Sequence, residues 1–170
     1  AQTGKTTLLR ALCGFIPAVE RIVTIEEQSE LQLERDNLIR LKAEGSGQSP
    51  PVASVEKLIM TATSMRPDRL ILGAINGLEI AAWMQVINTG LRGSMTTCSA
   101  ASPQELLGQI EKSLALADPS ATAGSIRAHM ASAIDLIVHL ARLPDHSLHI
   151  DSITEISAVE SNQITAVDLL

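Results

Sequence analysis

Up to Met130 this chain alternates apolar, β-branched runs with helical patterns, and that alternation leaves few folds open. Arg21-Ile22-Val23-Thr24-Ile25, Leu38-Ile39-Arg40-Leu41, Arg69-Leu70-Ile71-Leu72-Gly73 and Gly93 to Cys98 (GSMTTC) read as strands. Between them lie helical patterns. Thr6 to Phe15 has Leu8, Leu9, Leu12 and Cys13 on one face, and Val55 to Met65 is capped by Ser54 and closed by Pro67. Leu78 to Thr89 carries Ala82, Trp83, Val86 and Ile87 on its apolar face. Ser102-Pro103-Gln104-Glu105 starts a helix that runs to Ala117, and Ile126 to Met130 lies in another. From Ala133 the pattern changes: residues 133–143, 147–159 and 164–170 read as strands joined by tight turns. The expected fold class is therefore α/β, a mostly parallel sheet with a small C-terminal antiparallel meander. Ala43 to Val52 (AEGSGQSPPV) is expected to be a mobile loop.

In such sheets ligands sit at the carboxyl ends of the strands. The acidic pair Glu26-Glu27, the Gly73-Ala74 turn and the Cys98-Ser99 turn all belong to that edge. Gly4-Lys5-Thr6-Thr7, which runs into the chain's first helix, is the second half of the phosphate-loop pattern G-x-x-x-x-G-K-[ST]. There the backbone N–H groups close around phosphates, the lysine reaches the terminal phosphates, the hydroxyl binds magnesium, and the helix adds its positive end. The strand that normally leads into such a loop would lie upstream of Ala1, so the chain is expected to be one truncated domain of a longer protein.

Composition excludes other classes. The net charge of −6 and a pI of about 5.2 disfavour a sequence-independent hold on nucleic acid. With aromatic residues at 1% there is almost nothing on which bases can stack. Cys13 and Cys98 form no C-x-x-C pair, which argues against a zinc site or a disulfide framework. His146 and His149, with Asp145 and Asp151, fall along a hairpin and read as solvent-facing residues rather than metal ligands. No apolar run is long enough to cross a bilayer, so membrane association is expected only through partners.

The order GKTTLLRAL, RIVTIEE-x-x-EL, TATSMRPDRLILGAINGLE, NTGLRGSMTTCSAASP and ASAIDLIVH resembles the type II/type IV secretion ATPases, in particular the branch that powers tight-adherence (Flp-type) pilus assembly. The resemblance implies a RecA-like P-loop domain whose first core strand is missing here, the carboxyl-terminal motor half of a subunit whose amino-terminal domain is absent. It also implies ATP and Mg2+ as cofactors and a homo- or hetero-hexamer. The expected setting is the cytoplasm, peripheral to the inner membrane through platform proteins.

Carried over residue by residue, the resemblance assigns Thr3, Gly4, Lys5, Thr6, Thr7 and Arg40 to nucleotide binding and Thr6 to magnesium. Glu26 matches the first acid of a Glu-Asp pair, and Glu27 replaces the aspartate; either is a candidate for positioning the attacking water. Gln2 replaces a small residue, and Glu44 falls near a position where the family has an arginine. Two departures are larger. Gly73-Ala74-Ile75-Asn76-Gly77 stands where the family has Gly-Glu-x-Arg-Gly, so Ala74 occupies the position of the catalytic glutamate. Thr96 to Pro103 matches a Thr-Thr-x-His-Ala-Asn-Ser-Pro box, with Ser99 at the histidine and Ala101 at the asparagine. Three readings stay open on the sequence: a working motor ATPase, a nucleotide-binding pseudo-ATPase subunit, and a decayed copy.

Overall fold

The computed structural model describes residues 3–43, 53–143, 145–160 and 163–170. The expected loop at Ala43 to Val52 lies, beyond Ala43, outside the described residues, as do Gln2 and Glu44. The chain divides into two compact units, Lys5–Cys98 and Ser99–Leu170, the second also taking in Gly4.

The first unit is built on strands β1 (Ile22–Glu26), β2 (Leu38–Lys42), β3 (Arg69–Ala74) and β4 (Met95–Thr97). All pairings are parallel, in the order β2-β1-β3-β4. Every residue of β1 is buried, and Leu70, Ile71 and Leu72 of β3 are fully enclosed. A parallel sheet covered on both faces demands such unbroken apolar runs. Helices α1 (Lys5–Cys13), α2 (Val55–Thr63) and α3 (Leu78–Ile87) supply the cover. Leu9 and Cys13 of α1 join Ile16, Ile22, Leu31, Leu33 and Ile71 in one apolar cluster. α2 packs on α3 and on β1, and Trp83 of α3 is buried.

β4 is shorter than the six residues expected. Ser94 Oγ takes the hydrogen bond of the Leu70 N–H at 3.0 Å, a side chain standing in for the ladder. Gly93, at φ +69°, turns the chain just before it, and the β3–β4 register shifts between Ile71 and Ala74.

The second unit holds α4 (Pro103–Ala117), α5 (Ala123–Ala133) and the antiparallel meander β5 (Leu136–Arg142), β6 (Leu148–Glu160) and β7 (Gln163–Asp168). Ala133, expected to open a strand, is instead the last helical residue. Ile134 is already extended at φ −106°, ψ 116°, and its N–H closes the helix on the Met130 carbonyl. Ile126 and Met130 of α5 are buried, and this helix packs on β6 and β7. Within the meander His139 Nδ1 lies 3.0 Å from Asp151 Oδ2, while Asp145 Oδ1 accepts from the Ser147 hydroxyl at 2.6 Å and its N–H at 2.9 Å. Among the described residues no group of three or more His, Cys, Asp or Glu side chains is arranged to hold a metal ion.

Candidate functional site

The start of α1 is where the phosphate-loop pattern meets structure. Gly4 has φ +74°, a left-handed conformation that suits glycine, and the helix begins at the next residue, Lys5. The first-turn N–H groups of a helix lack intrahelical partners and carry a partial positive charge, which makes this end a fit for phosphate oxygens. Thr3, Lys5 and Thr6 are half-buried and Thr7 is exposed. Thr6 Oγ1 donates to Glu30 Oε2 at 3.1 Å. A hydroxyl beside a carboxylate is a hard-oxygen donor set of the kind magnesium takes, so the residues present fit the Mg2+ that the resemblance implied.

Glu30 belongs to the segment between β1 and β2, which has no regular structure but many ties. Glu26, at the carboxyl end of β1 and only 8% exposed, accepts through Oε1 from the N–H of Glu30 at 3.0 Å and of Leu31 at 2.9 Å. Leu31 and Leu33 both enter the core cluster, with the intervening Gln32 at φ +43°. Such a backbone is costly for a residue other than glycine and is held by what surrounds it. Arg35 spans the end of α1, donating to the carbonyls of Cys13 at 2.6 Å and Ile16 at 2.5 Å, with longer bonds to Gly14 and Pro17. Arg40, expected at the nucleotide, has its Nη2 on the Leu33 carbonyl of the same segment. Glu27 is exposed at the end of β1.

Ala74 ends β3 and is exposed. The turn that follows is fixed at two points: Ile75 N–H donates to the Thr97 carbonyl at 3.0 Å, and Asn76 N–H donates to Glu79 Oε2 at 2.9 Å. Burial holds the Glu79 carboxyl above its ordinary range; the Asn76 N–H partly opposes this, while Glu56 and Glu27 push in the same direction. Burial also pushes the Cys98 thiol up to about 11, against the field of Lys5 and with that of Glu79. The Cys98 thiol thus lies within the field of both Lys5 and Glu79. Ser99 is exposed. The end of the box that contains it starts α4: Ser102 Oγ, at the N-cap, accepts from the Glu105 N–H at 3.1 Å, and Glu105 Oε2 accepts from the N–H of Ala101, one residue before the cap, at 2.7 Å.

The sequence reading passed over Glu30, Glu79 and Arg35. Glu30 stood within the quoted string RIVTIEE-x-x-EL, yet linear spacing gives no sign that it meets Thr6. Arg35 falls in a stretch without periodicity, where only the folded chain shows which carbonyls it reaches.

A family model for type II/IV secretion system proteins matches residues 2–166. The chain is 32% identical over 141 residues to protein VirB11 of Agrobacterium fabrum, covering 80% of this chain and 40% of that protein. It is 34% identical over 146 residues to the type IV secretion system protein PtlH of Bordetella pertussis, covering 82% of this chain and 42% of that one. The chain therefore spans about two-fifths of the length of these relatives. Its fold matches the crystal structure of the VirB11 ATPase from the Brucella suis type IV secretion system, solved in complex with sulphate. That match has a TM-score of 0.80 at 27% identity, over 91% of this chain and 46% of that one. The match to the family model over nearly its whole length makes this chain a member of the type II/IV secretion system protein family.

Proposed function

We propose that this chain is the ATP-binding motor domain of a secretion or pilus-assembly ATPase, coupling ATP binding and hydrolysis to protein export or pilus assembly at the inner membrane. The observation that carries this reading is the 3.1 Å hydrogen bond between Thr6 and Glu30. It brings a carboxylate to the phosphate-loop hydroxyl in a chain that has Ala74 where the family carries its glutamate.

Lys5 and the N–H groups at the start of α1 hold the β- and γ-phosphates, with Gly4 opening the turn and Thr3 and Thr7 flanking it. Thr6 is the magnesium ligand, and the bound ion neutralises charge on the phosphates. Phosphoryl transfer needs little from the protein beyond positioning and charge stabilisation around an in-line water. Glu30 supplies the carboxylate that orients that water. Glu27, exposed at the same strand end, adds negative charge to the magnesium side. Arg40 acts on the nucleotide at one remove, by fixing the segment that carries Glu30.

The motor works as a homo- or hetero-hexamer in the cytoplasm, held to the inner membrane by platform proteins. Among the described residues no helix is long and apolar enough to cross a membrane. The net charge of −6 supports protein rather than nucleic acid as the partner class.

Magnesium-dependent phosphate release from ATP by the full chain tests the reading. Lys5→Ala is expected to abolish nucleotide binding and release together. Glu30→Gln is expected to keep ATP binding and lower release by about 100-fold or more. Binding without release in the unsubstituted protein would instead mark a pseudo-ATPase.

A further inference from the structure

Glu26 was a candidate for water positioning on sequence grounds, and in the fold its carboxylate is tied to the backbone of the segment after β1. Its side chain lies over β3, where a Cβ added to Gly73 would stand 3.8 Å from both its Cα and its Cγ. One carboxylate oxygen, Oε1, takes two backbone N–H groups, those of Glu30 and Leu31. Leu31 is anchored in the core beside Leu9 and Cys13 of α1, and Glu30 extends from the same backbone to the Thr6 hydroxyl. An acceptor bridging consecutive N–H groups fixes the peptide between them, and with it the direction in which the Glu30 side chain leaves the chain.

We propose that Glu26 is a positioning residue: it clamps the Glu30–Leu31 backbone so that the Glu30 carboxylate meets Thr6. The catalytic consequence rests on the reading of Glu30 given above; the clamp itself does not. The clamp uses an oxygen acceptor, not a charge or a proton. A glutamine at this position presents an amide oxygen to the same two N–H groups. An acid that activates water or binds magnesium has no such substitute.

Two measurements on the full chain separate the possibilities. The first needs no turnover: NMR signals of Thr6 and of the Glu30 side-chain carboxyl, recorded without nucleotide. They are expected at parental positions in Glu26→Gln and displaced in Glu26→Ala. Should the alanine variant fail to fold, Glu26→Asp, one methylene too short to span both N–H groups, replaces it with the same expected displacement. Unmoved signals in the alanine or aspartate variant, or equal displacement in the glutamine variant, overturn the clamp. The second is phosphate release. Glu26→Gln should stay within about 3-fold of the parent. Glu26→Ala should lose about 10–100-fold in kcat with little change in KM, the scale of an ångström-level misplacement. A glutamine variant as inactive as the alanine variant would make Glu26 a chemical participant and overturn the proposal. A parent that releases no phosphate would remove the catalytic reading of Glu30 and leave the clamp to be decided by the NMR signals.

Discussion

Arg35 donates from Nη2 to the Cys13 carbonyl at 2.6 Å, closing the end of α1 from a residue that follows β1 in the chain. The carbonyl end of a helix carries partial negative charge, and the guanidinium bridges the last α1 carbonyl, that of Cys13, to those of Gly14, Ile16 and Pro17 in the turn that follows. Arg35→Met is expected to destabilise the fold by about 2–3 kcal/mol, the scale of lost charged hydrogen bonds. Arg35→Lys should recover little, because an ammonium group lacks the planar fork that reaches carbonyls of four residues. Denaturant midpoints of the two variants check this.

Ala74 offers a second test. It is exposed at the end of β3, and the turn after it already holds Glu79. If Glu30 orients the water, Ala74→Glu should change phosphate release by less than about 10-fold in the parent. It should also fail to restore release in Glu30→Gln, since a catalytic carboxylate acts only from hydrogen-bonding reach. Full rescue by Ala74→Glu would return the role to the strand end.

Glu79 sets a pH dependence of stability. Burial raises its carboxyl in the folded state, with Glu56 and Glu27 adding to the effect. The folded chain therefore holds this proton more tightly than the unfolded chain does. Its contribution is complete below about pH 4, the ordinary glutamate range, and is lost as pH rises through the raised value. Glu79→Gln keeps an oxygen for the Asn76 N–H and cannot ionise. The variant should match the parent in melting temperature near pH 4 and exceed it at pH 7. A gap of opposite sign at pH 7 would count against burial as the dominant influence.

Cys98 should be nearly inert in the folded protein. With its thiol pushed up to about 11, its thiolate fraction at pH 8 is about 100-fold below that of an unperturbed thiol. Iodoacetamide labelling of Cys98, followed by peptide mass, is expected to be slow at pH 8 and fast after unfolding in urea.

The parallel sheet was legible because its physics is written locally. Ile22-Val23-Thr24-Ile25 is a β-branched run and Leu70-Ile71-Leu72 an apolar one, both without polar alternation, as a strand covered on both faces requires. The helix start at Ser102-Pro103-Gln104-Glu105 was readable for the same reason, its cap being contained in four residues. The site was legible only where a motif names its own residues, as Gly4-Lys5-Thr6 does. The partnership of Thr6 with Glu30 depends on how the segment after β1 folds back, which Leu31 and Leu33 decide by entering the core. The shortness of β4 was hidden because Ser94 reads as a strand residue while its hydroxyl takes the place of a ladder bond.

The strand order β2-β1-β3-β4 also says how this chain must assemble in time. β1 pairs on one side with β2 and on the other with β3, so Ile22 meets both Leu38 and Arg69, residues far along the chain. The meander pairs neighbours: Arg142 meets Leu148 across a short turn. Contacts between distant residues carry a loop-closure cost before they return any stability, and they slow folding. In a refolding experiment the hairpins of the meander should gain amide protection first. The central parallel sheet, and with it the approach of Glu30 to Thr6, should come last, so that the candidate site is the final part of the molecule to exist.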